Sequence, residues 1–153
     1  MVDIGQIALA CLFLTVWIAD GFVFQYTTQI NQYLPFGVRL PIATVLVLLS
    51  LRVVWLAHKQ LFHAPQEKPC VIRHGIYGRV RHPIYLSELV FYLGLIVLNV
   101  SLAALAVWLL GFGFLHYIAR YEEKLLLARF GQEYAKYMQD VPMWFHRFAK
   151  RRT

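Results

Sequence analysis

The sequence predicts an all-α integral membrane protein with four transmembrane helices, a helical hairpin between spans three and four, and an amphipathic C-terminal helical tail. Hydrophobic residues make up 59% of the 153 residues and charged residues only 15%, against about 45–50% and about 25% in ordinary soluble domains. Four stretches are long and apolar enough to cross a bilayer, and basic residues concentrate on one side of them. The length suits one domain covering residues 1–153.

The four predicted spans are runs of mainly apolar residues with the length that crosses the hydrocarbon core. They cover Ile4 to about Phe24, Pro41 to about Ala57, Pro83 to about Asn99 and Leu102 to about Ala119. The first run lacks the basic start and the cleavage site of a signal peptide, so we interpret it as an uncleaved span. Only Asn99-Val100-Ser101 separates the last two spans, which predicts an antiparallel helical hairpin.

The basic residues predict the orientation of the chain. The loop of residues 58–82 and the tail of residues 120–153 together hold 13 of the 15 Lys and Arg residues. Cytosolic segments of membrane proteins are enriched in these residues, so we expect both segments and both termini in the cytosol. The net charge of +7 then reflects topology and contact with anionic lipid, and no nucleic-acid partner is expected. The expected location is the cell (inner) membrane of a bacterium or archaeon.

The tail is too charged to form a fifth span. Apolar and charged side chains alternate through residues 120–138, which predicts a pair of short amphipathic helices with a break at Gly131. Such a pair either lies on the membrane surface or packs back over the cytosolic loop.

The entrance of the third span carries the candidate binding residues. Residues 71–88 read VIRHGIYGRVRHPIYLSE, and Pro83 suits the first position of a helix. The free N–H groups at such a helix end favour an anionic group. Arg81 could bind a carboxylate or phosphate through two hydrogen bonds, and His82 could exchange a proton near neutral pH. The alternative is an ordinary positively charged loop.

Ionisable residues in and beside the spans are further candidates. Glu88 lies about 8 Å along the helix from Pro83, at a depth where a charge is costly and usually functional. It could instead reach toward an arginine of the loop. Glu122 and Glu123 point about 100° apart on a helix. One could therefore face a pocket and bind a cation, while the other faces solvent or a neighbouring arginine.

His116 and Arg120 share one face at the end of the fourth span. They could meet the polar head of an acceptor, or they could simply mark the membrane interface. Cys11 and Cys70 do not make a disulfide framework. The sequence contains no strong metal-binding spacing and no glycine-rich nucleotide-binding motif, so no metal site is predicted.

Two segments carry a family resemblance. They read GIYGRVRHPIY at 75–85 and EEKLLLARFGQEYAKY at 122–137, and Val-Pro follows at 141–142. In this order they resemble the isoprenylcysteine carboxyl methyltransferase family, within a wider group that includes phospholipid methyltransferases, and more closely its small prokaryotic members. The resemblance covers about half of the chain. It implies a membrane enzyme that uses S-adenosylmethionine on the cytosolic side to methylate a lipophilic or prenylated small molecule or a membrane lipid.

The resemblance also implies which residues act. The residues that would bind S-adenosylmethionine are Cys70, Val71, Ile72, Tyr77, Arg81, His82, Pro83, Ile84, Tyr85 and Glu122. Glu122 would contact the amino group of the cofactor. Glu88, His116 and Arg120 are the catalytic candidates on the acceptor side. A carboxylate acceptor needs no base, whereas a thiol, phenol or amine does, and Glu88 or His116 could provide it.

Isoprenylcysteine-type enzymes place an arginine four residues before the first glutamate, and Ile118 occupies that position here. The acceptor therefore stays open, and a phospholipid N-methyltransferase is the main alternative. Two further alternatives are a nicotinamide-dependent sterol-type reductase, which carries a related RHP-x-Y segment, and a non-catalytic membrane subunit of the same fold. The sequence leaves the oligomeric state open.

Overall fold

The computed structural model describes residues 4–62 and 70–144, which form helices joined by turns and short irregular segments. The helices are α1 (Ile4–Ile18), α2 (Phe36–Phe62), α3 (Pro83–Leu98), α4 (Leu102–Phe130) and α5 (Gln132–Asp140). The chain continues from α1 as a π-helix, Ala19–Phe24, and a 3₁₀ turn covers Gln29–Gln32. These two described ranges contain no β-strand. The predicted all-α class is confirmed.

Three helical stretches are long and apolar enough to cross a membrane, namely Ile4–Phe24, Phe36–Leu61 and Leu102–Phe130. Apolar side chains are exposed on them; Leu110, for example, is 74% exposed. A helix that is hydrophobic on all sides belongs in a protein core or a membrane, so the chain has the character of a membrane protein. Helix α3 is also apolar but has only 16 residues, about 24 Å of rise.

Helices α2 and α4 extend beyond the predicted spans, α2 at both ends, since it covers Phe36–Phe62 where the sequence predicts Pro41 to about Ala57. Helix α2 begins at Phe36 and accommodates Pro41 in its second turn, as apolar spanning helices can. Helix α4 runs on to Phe130, well beyond the predicted end near Ala119, because the added residues are mainly Leu, Glu, Lys, Arg and Ala, which are strong helix formers. The first of the two predicted tail helices is therefore the end of α4. Gly131, with φ at 55°, separates α4 from α5 at the predicted break.

Small residues let the helices approach closely. A side chain at Gly94 of α3 would lie 3.0 Å from Cγ2 of Val47 and 3.3 Å from the carbonyl oxygen of Ala43 on α2. Between α1 and α4, a side chain at Gly111 would lie 3.0 Å from Cδ1 of Leu9. Small residues at helix contacts are a common device of membrane proteins, where dispersion contacts drive helix packing.

A polar network joins α1 to the hairpin, at the end of the bundle away from the 70–82 loop. Asp20 is buried and accepts hydrogen bonds from the Thr27 amide (3.0 Å), the Ser101 hydroxyl (2.5 Å) and the Thr27 hydroxyl. The Asn31 amide donates to Oδ1 of Asn99 (2.6 Å) and its oxygen accepts from the Val100 amide (2.9 Å). A buried charge needs such partners, so Asp20 connects α1 to the α3–α4 turn.

We expect Asp20→Ala to lower the unfolding free energy by at least about 2 kcal/mol, since a hydrogen bond to a charged group contributes about 1.5–3 kcal/mol. Thermal unfolding followed by tryptophan fluorescence in detergent measures the change. The matched control is Asp140→Asn on the exposed end of α5, which should stay within about 0.5 kcal/mol of the parent protein. Equal melting temperatures for Asp20→Ala and the parent would contradict this account of the network.

Candidate functional site

A cavity of about 800 Å³ lies where the 70–82 loop, the first turn of α3, the end of α4 and helix α5 meet. It is lined by all ten residues that the sequence analysis assigns to the cofactor: Cys70, Val71, Ile72, Tyr77, Arg81, His82, Pro83, Ile84, Tyr85 and Glu122. The other lining residues are Gln6, His58, Leu61, Leu126, Arg129, Phe130, Tyr134 and Tyr137. The structure therefore brings the predicted cofactor residues together around one space.

The loop turns toward the cavity because Gly75 lies against the end of α2. Its φ of 60° is a left-handed conformation, which glycine adopts without steric cost. A Cβ atom there would lie 1.5 Å from Nε2 of Gln60. The Gln60 side-chain oxygen accepts a hydrogen bond from the amide of Ile76 (3.1 Å). Helix α2 thus sets the position of the loop that forms one cavity wall.

Arg81 joins the loop to α4 and to the chain after α5. Its Nε donates to Oε1 of Glu123 (2.7 Å), and its Nη1 donates to the carbonyl oxygens of Met138 and Val141 (2.7 Å each). The Arg81 amide donates to the carbonyl oxygen of Pro142 (3.0 Å). The sequence predicted that this guanidinium binds an anionic ligand. In the structure Arg81 does border the cavity, but these protein groups occupy its Nε and Nη1.

Glu123 is the buried partner in this connection, with 2% of its side chain exposed. Besides Arg81, its carboxylate meets Nε2 of His82 (3.3 Å) and Nη1 of Arg120 (3.7 Å). A buried carboxylate is stable only where cations and hydrogen bonds replace water, and Glu123 has both. The sequence predicts that one of the two adjacent glutamates faces a pocket and the other faces solvent or an arginine. Glu123 is the glutamate that contacts an arginine.

Glu122 faces the cavity instead, and its side chain is 38% exposed. It accepts a hydrogen bond from the Tyr85 hydroxyl (2.6 Å), and Oε2 lies 3.6 Å from Nδ1 of His82. The His82 ring stacks parallel to the Tyr85 ring, with 5.6 Å between centroids. The two ring nitrogens of His82 therefore face the two neighbouring glutamates, one on each side.

The first turn of α3 adds an anion-binding element to the cavity. Pro83 occupies the first helical position, and Ile84 and Tyr85 follow it in the lining. The first N–H groups of a helix have no partner within the helix and carry the positive end of its dipole. This helix end and Glu122 place a positive and a negative region at one cavity, which suits a ligand that carries both charges.

Tyrosine hydroxyls supply neutral donors around the cavity. Burial raises the pKa of Tyr77 to about 12, and the charge of Glu122 adds to the effect. Burial likewise raises the pKa of Tyr134 to about 12, with Glu123 contributing. Both hydroxyls therefore keep their protons throughout the physiological range. The Tyr137 hydroxyl donates to the carbonyl oxygen of Tyr77 (2.7 Å), so α5 packs over the loop, one of the two placements that the sequence predicts for the tail.

The three acceptor-side candidates lie outside the cavity lining. His116 is on the exposed side of α4, where Nδ1 accepts a hydrogen bond from the Trp144 indole (3.0 Å). The Arg120 side chain is 60% exposed and extends toward Glu123. Glu88 lies inside the bundle, next to Gln6 and Tyr92. His116 and Arg120 lie on a face of α4 that points away from the cavity. Glu88 lies one turn further along α3 than the lining residues Ile84 and Tyr85.

Sequence reasoning missed several lining residues. Leu126, Arg129 and Phe130 follow Glu122 at helical spacing, so the full length of α4 would have identified them. Gln6 is one of two polar residues in the apolar run Ile4–Ile18, and that was its one signal. His58 lies at the end of α2, and only the packing of α2 against the loop brings it to the cavity.

A family model described as "Protein of unknown function (DUF1295)" matches residues 5–141. The chain belongs to the DUF1295 family. It is also similar to the cobalt-zinc-cadmium resistance protein CzcN of Cupriavidus metallidurans, with 31% identity over 90 residues. That match covers 58% of the chain and 41% of the relative, so the chain spans less than half of the relative's length. Within residues 4–62 and 70–144, no group of three or more His, Cys, Asp or Glu side chains could hold a metal ion.

The two glutamates should affect stability differently. Glu123→Gln leaves Arg81 buried without its counter-charge, and breaking such a pair costs about 3–5 kcal/mol. Glu122→Gln changes a partly exposed group and should cost less than about 1 kcal/mol. Thermal unfolding of both variants in the same detergent is the measurement. A larger loss of stability for Glu122→Gln than for Glu123→Gln would reverse the two assignments.

Proposed function

We propose that this protein is an integral membrane methyltransferase that transfers the methyl group of S-adenosylmethionine to a lipophilic acceptor, as in the isoprenylcysteine carboxyl methyltransferase family. The observation that supports the proposal is the grouping of the ten cofactor residues around one cavity. Those residues come from separate parts of the sequence, the 70–85 segment and the end of α4, and the sequence alone selects them, without reference to the structure.

The residues around the cavity fit the proposed cofactor. The volume of about 800 Å³ lies within the range of small-molecule sites, about 300–1,000 Å³. Val71, Ile72 and Leu126 provide an apolar wall suited to an adenine ring. The methionine end carries a carboxylate and an ammonium group, which match the N-terminus of α3 and the carboxylate of Glu122, respectively.

S-adenosylmethionine supplies a methyl carbon that is already electrophilic, so the protein contributes mainly position and a dry environment. In-line methyl transfer depends on the alignment of the two reactants. Glu122 and the first turn of α3 would hold the cofactor at the loop side of the cavity. Helix α5, which Arg81 fastens to the loop, covers that side and limits the access of water.

We also propose that α3 crosses the membrane as a fourth span and that both termini are cytosolic. Helix α3 ends at Leu98 and α4 begins at Leu102, so the two helices run antiparallel through the same layer. The cavity then lies at the end of the bundle that carries most of the Lys and Arg residues. A cytosolic cavity would receive a water-soluble cofactor, while a lipophilic acceptor enters from the bilayer.

We expect purified protein to bind S-adenosylmethionine or its demethylated product with a micromolar dissociation constant, on the order of −8 kcal/mol. Glu122→Gln should weaken binding roughly 10- to 150-fold, because it removes one charge-assisted interaction of about 1.5–3 kcal/mol. Isothermal calorimetry measures both values. The matched control is Glu133→Gln, an exposed glutamate outside the cavity lining, which should bind like the parent.

Titration with a reduced nicotinamide cofactor in the same experiment tests the sterol-reductase alternative. Tight nicotinamide binding without binding of S-adenosylmethionine would refute the methyltransferase proposal. Binding of neither cofactor would favour a non-catalytic subunit.

The proposed topology predicts which cysteines a membrane-impermeant thiol reagent can reach in intact cells. In a variant with Cys11 and Cys70 replaced by serine, Tyr33→Cys should react from outside and His74→Cys should not. Both parent residues are exposed in the structure, so local burial does not decide the result. Reaction of position 74 in intact cells, with position 33 protected until lysis, would invert the topology.

A further inference from the structure

Glu88 is a half-buried carboxylate on α3, about one helical turn from the cavity. It follows Ile84 by four residues and Tyr85 by three on α3, and both of those residues line the cavity. Residues at these spacings share one face of a helix. At 1.5 Å per residue, Glu88 lies about 5–6 Å deeper in the bundle than the first turn.

Two hydrogen bonds hold the Glu88 carboxylate. Oε1 accepts from the Tyr92 hydroxyl (2.7 Å), and Oε2 accepts from Nε2 of Gln6 (3.2 Å). Gln6 is buried on α1 and lines the cavity. The carboxylate is therefore one hydrogen bond behind the cavity wall, on the side opposite the loop.

Glu88 has no cationic partner within 4.0 Å in the part of the chain that the structure describes. Glu123 differs from Glu88 in this respect, because Arg81, Arg120 and, when protonated, His82 lie within 4.0 Å of its carboxylate. An unpaired carboxylate at membrane depth is costly to maintain and usually serves a function. Two neutral donors reduce that cost while leaving the carboxylate able to accept a proton.

We propose that Glu88 is the proton acceptor for the methyl acceptor, which must then be a lipophilic molecule with a protonated nucleophile, such as a phenol, an amine or a thiol. This inference rests on the proposed methyltransferase function. The cavity would then have two ends: Glu122 and the first turn of α3 take the methyl donor, and Gln6, with Glu88 behind it, borders the acceptor. A lipophilic acceptor arriving from the bilayer reaches the second end first.

In the proposed step, methyl transfer to the acceptor is coupled to loss of the acceptor's proton. A lone pair on the acceptor oxygen, nitrogen or sulfur forms a bond to the methyl carbon, and the bond from that carbon to the sulfonium sulfur breaks with its electrons going to sulfur. The proton leaves the acceptor for the Glu88 carboxylate through one water, because Glu88 lies behind the cavity wall. The products are the methylated acceptor, the neutral thioether and protonated Glu88, which returns the proton to solvent. A carboxylate acceptor has no proton to lose and needs no such base.

The test compares the parent with Glu88→Gln on two alkylated phenols that differ in acidity. One carries a nitro group and is ionised in a mildly alkaline assay buffer, whereas the other keeps its proton. With labelled S-adenosylmethionine, Glu88→Gln should slow methylation of the protonated phenol about 10²- to 10⁴-fold and leave the ionised phenol near the parent rate. Equal slowing of both phenols, or of neither, would overturn the assignment.

Donor binding by calorimetry checks the fold of each variant, because Glu88 lies outside the cavity lining. Glu88→Asp serves as a second variant if Glu88→Gln does not bind the donor, and it should restore part of the rate on the protonated phenol. The control is Asp140→Asn, which should behave like the parent on both phenols.

A wider acceptor panel tests the substrate class. It contains the unsubstituted phenol, phosphatidylethanolamine, a farnesyl thiol and S-farnesylcysteine. A parent protein that binds the donor but methylates only the S-farnesylcysteine carboxylate, or none of the protic probes, overturns this inference and leaves donor binding intact. A parent that does not bind the donor refutes the proposed function itself.

Discussion

The buried contact between Arg81 and Glu123 is the interaction on which the rest of the site depends. Its two charges are almost fully removed from water, with 8% and 2% of their side chains exposed. Such a pair is stable only with close geometry and further hydrogen bonds. Arg81 provides these bonds through the backbone carbonyls of Met138 and Val141. One contact thus connects the loop before α3 and the end of α4, which both line the cavity, to α5 and the chain that follows it.

This contact also explains how two adjacent glutamates have different roles. A rotation of about 100° per residue means that α4 can direct only one of them at Arg81. With Glu123 in that position, Glu122 is turned into the cavity beside Tyr85. His82 lies between them, near both carboxylates. The buried ion pair therefore determines which carboxylate is available to a ligand.

The acidic side chains Asp20, which is buried, and Glu88, which is half-buried, have different kinds of hydrogen-bond partners. Asp20 is surrounded by donors from the connection after α1 and from the α3–α4 turn, so it serves the packing of helix ends. Glu88 has only two neutral donors and lies next to the cavity. An acidic residue thus has a structural role at one end of the bundle, Asp20, and is a candidate catalytic group at the other, Glu88. The number and kind of their hydrogen-bond partners distinguish the two residues.

The sequence by itself determined the all-α class, the apolar stretches, the helix break at Gly131 and the segments that surround the cavity, because apolar runs, helix propensity and turn residues act locally along the chain. Only the tertiary structure decided that Glu123 pairs with Arg81, that Glu122 faces the cavity and that Gln6 and His58 join its wall. It also placed His116 and Arg120 on the outside of α4. These outcomes depend on how a helix is rotated against elements distant in the sequence, and such rotation is set by the packing of many side chains together.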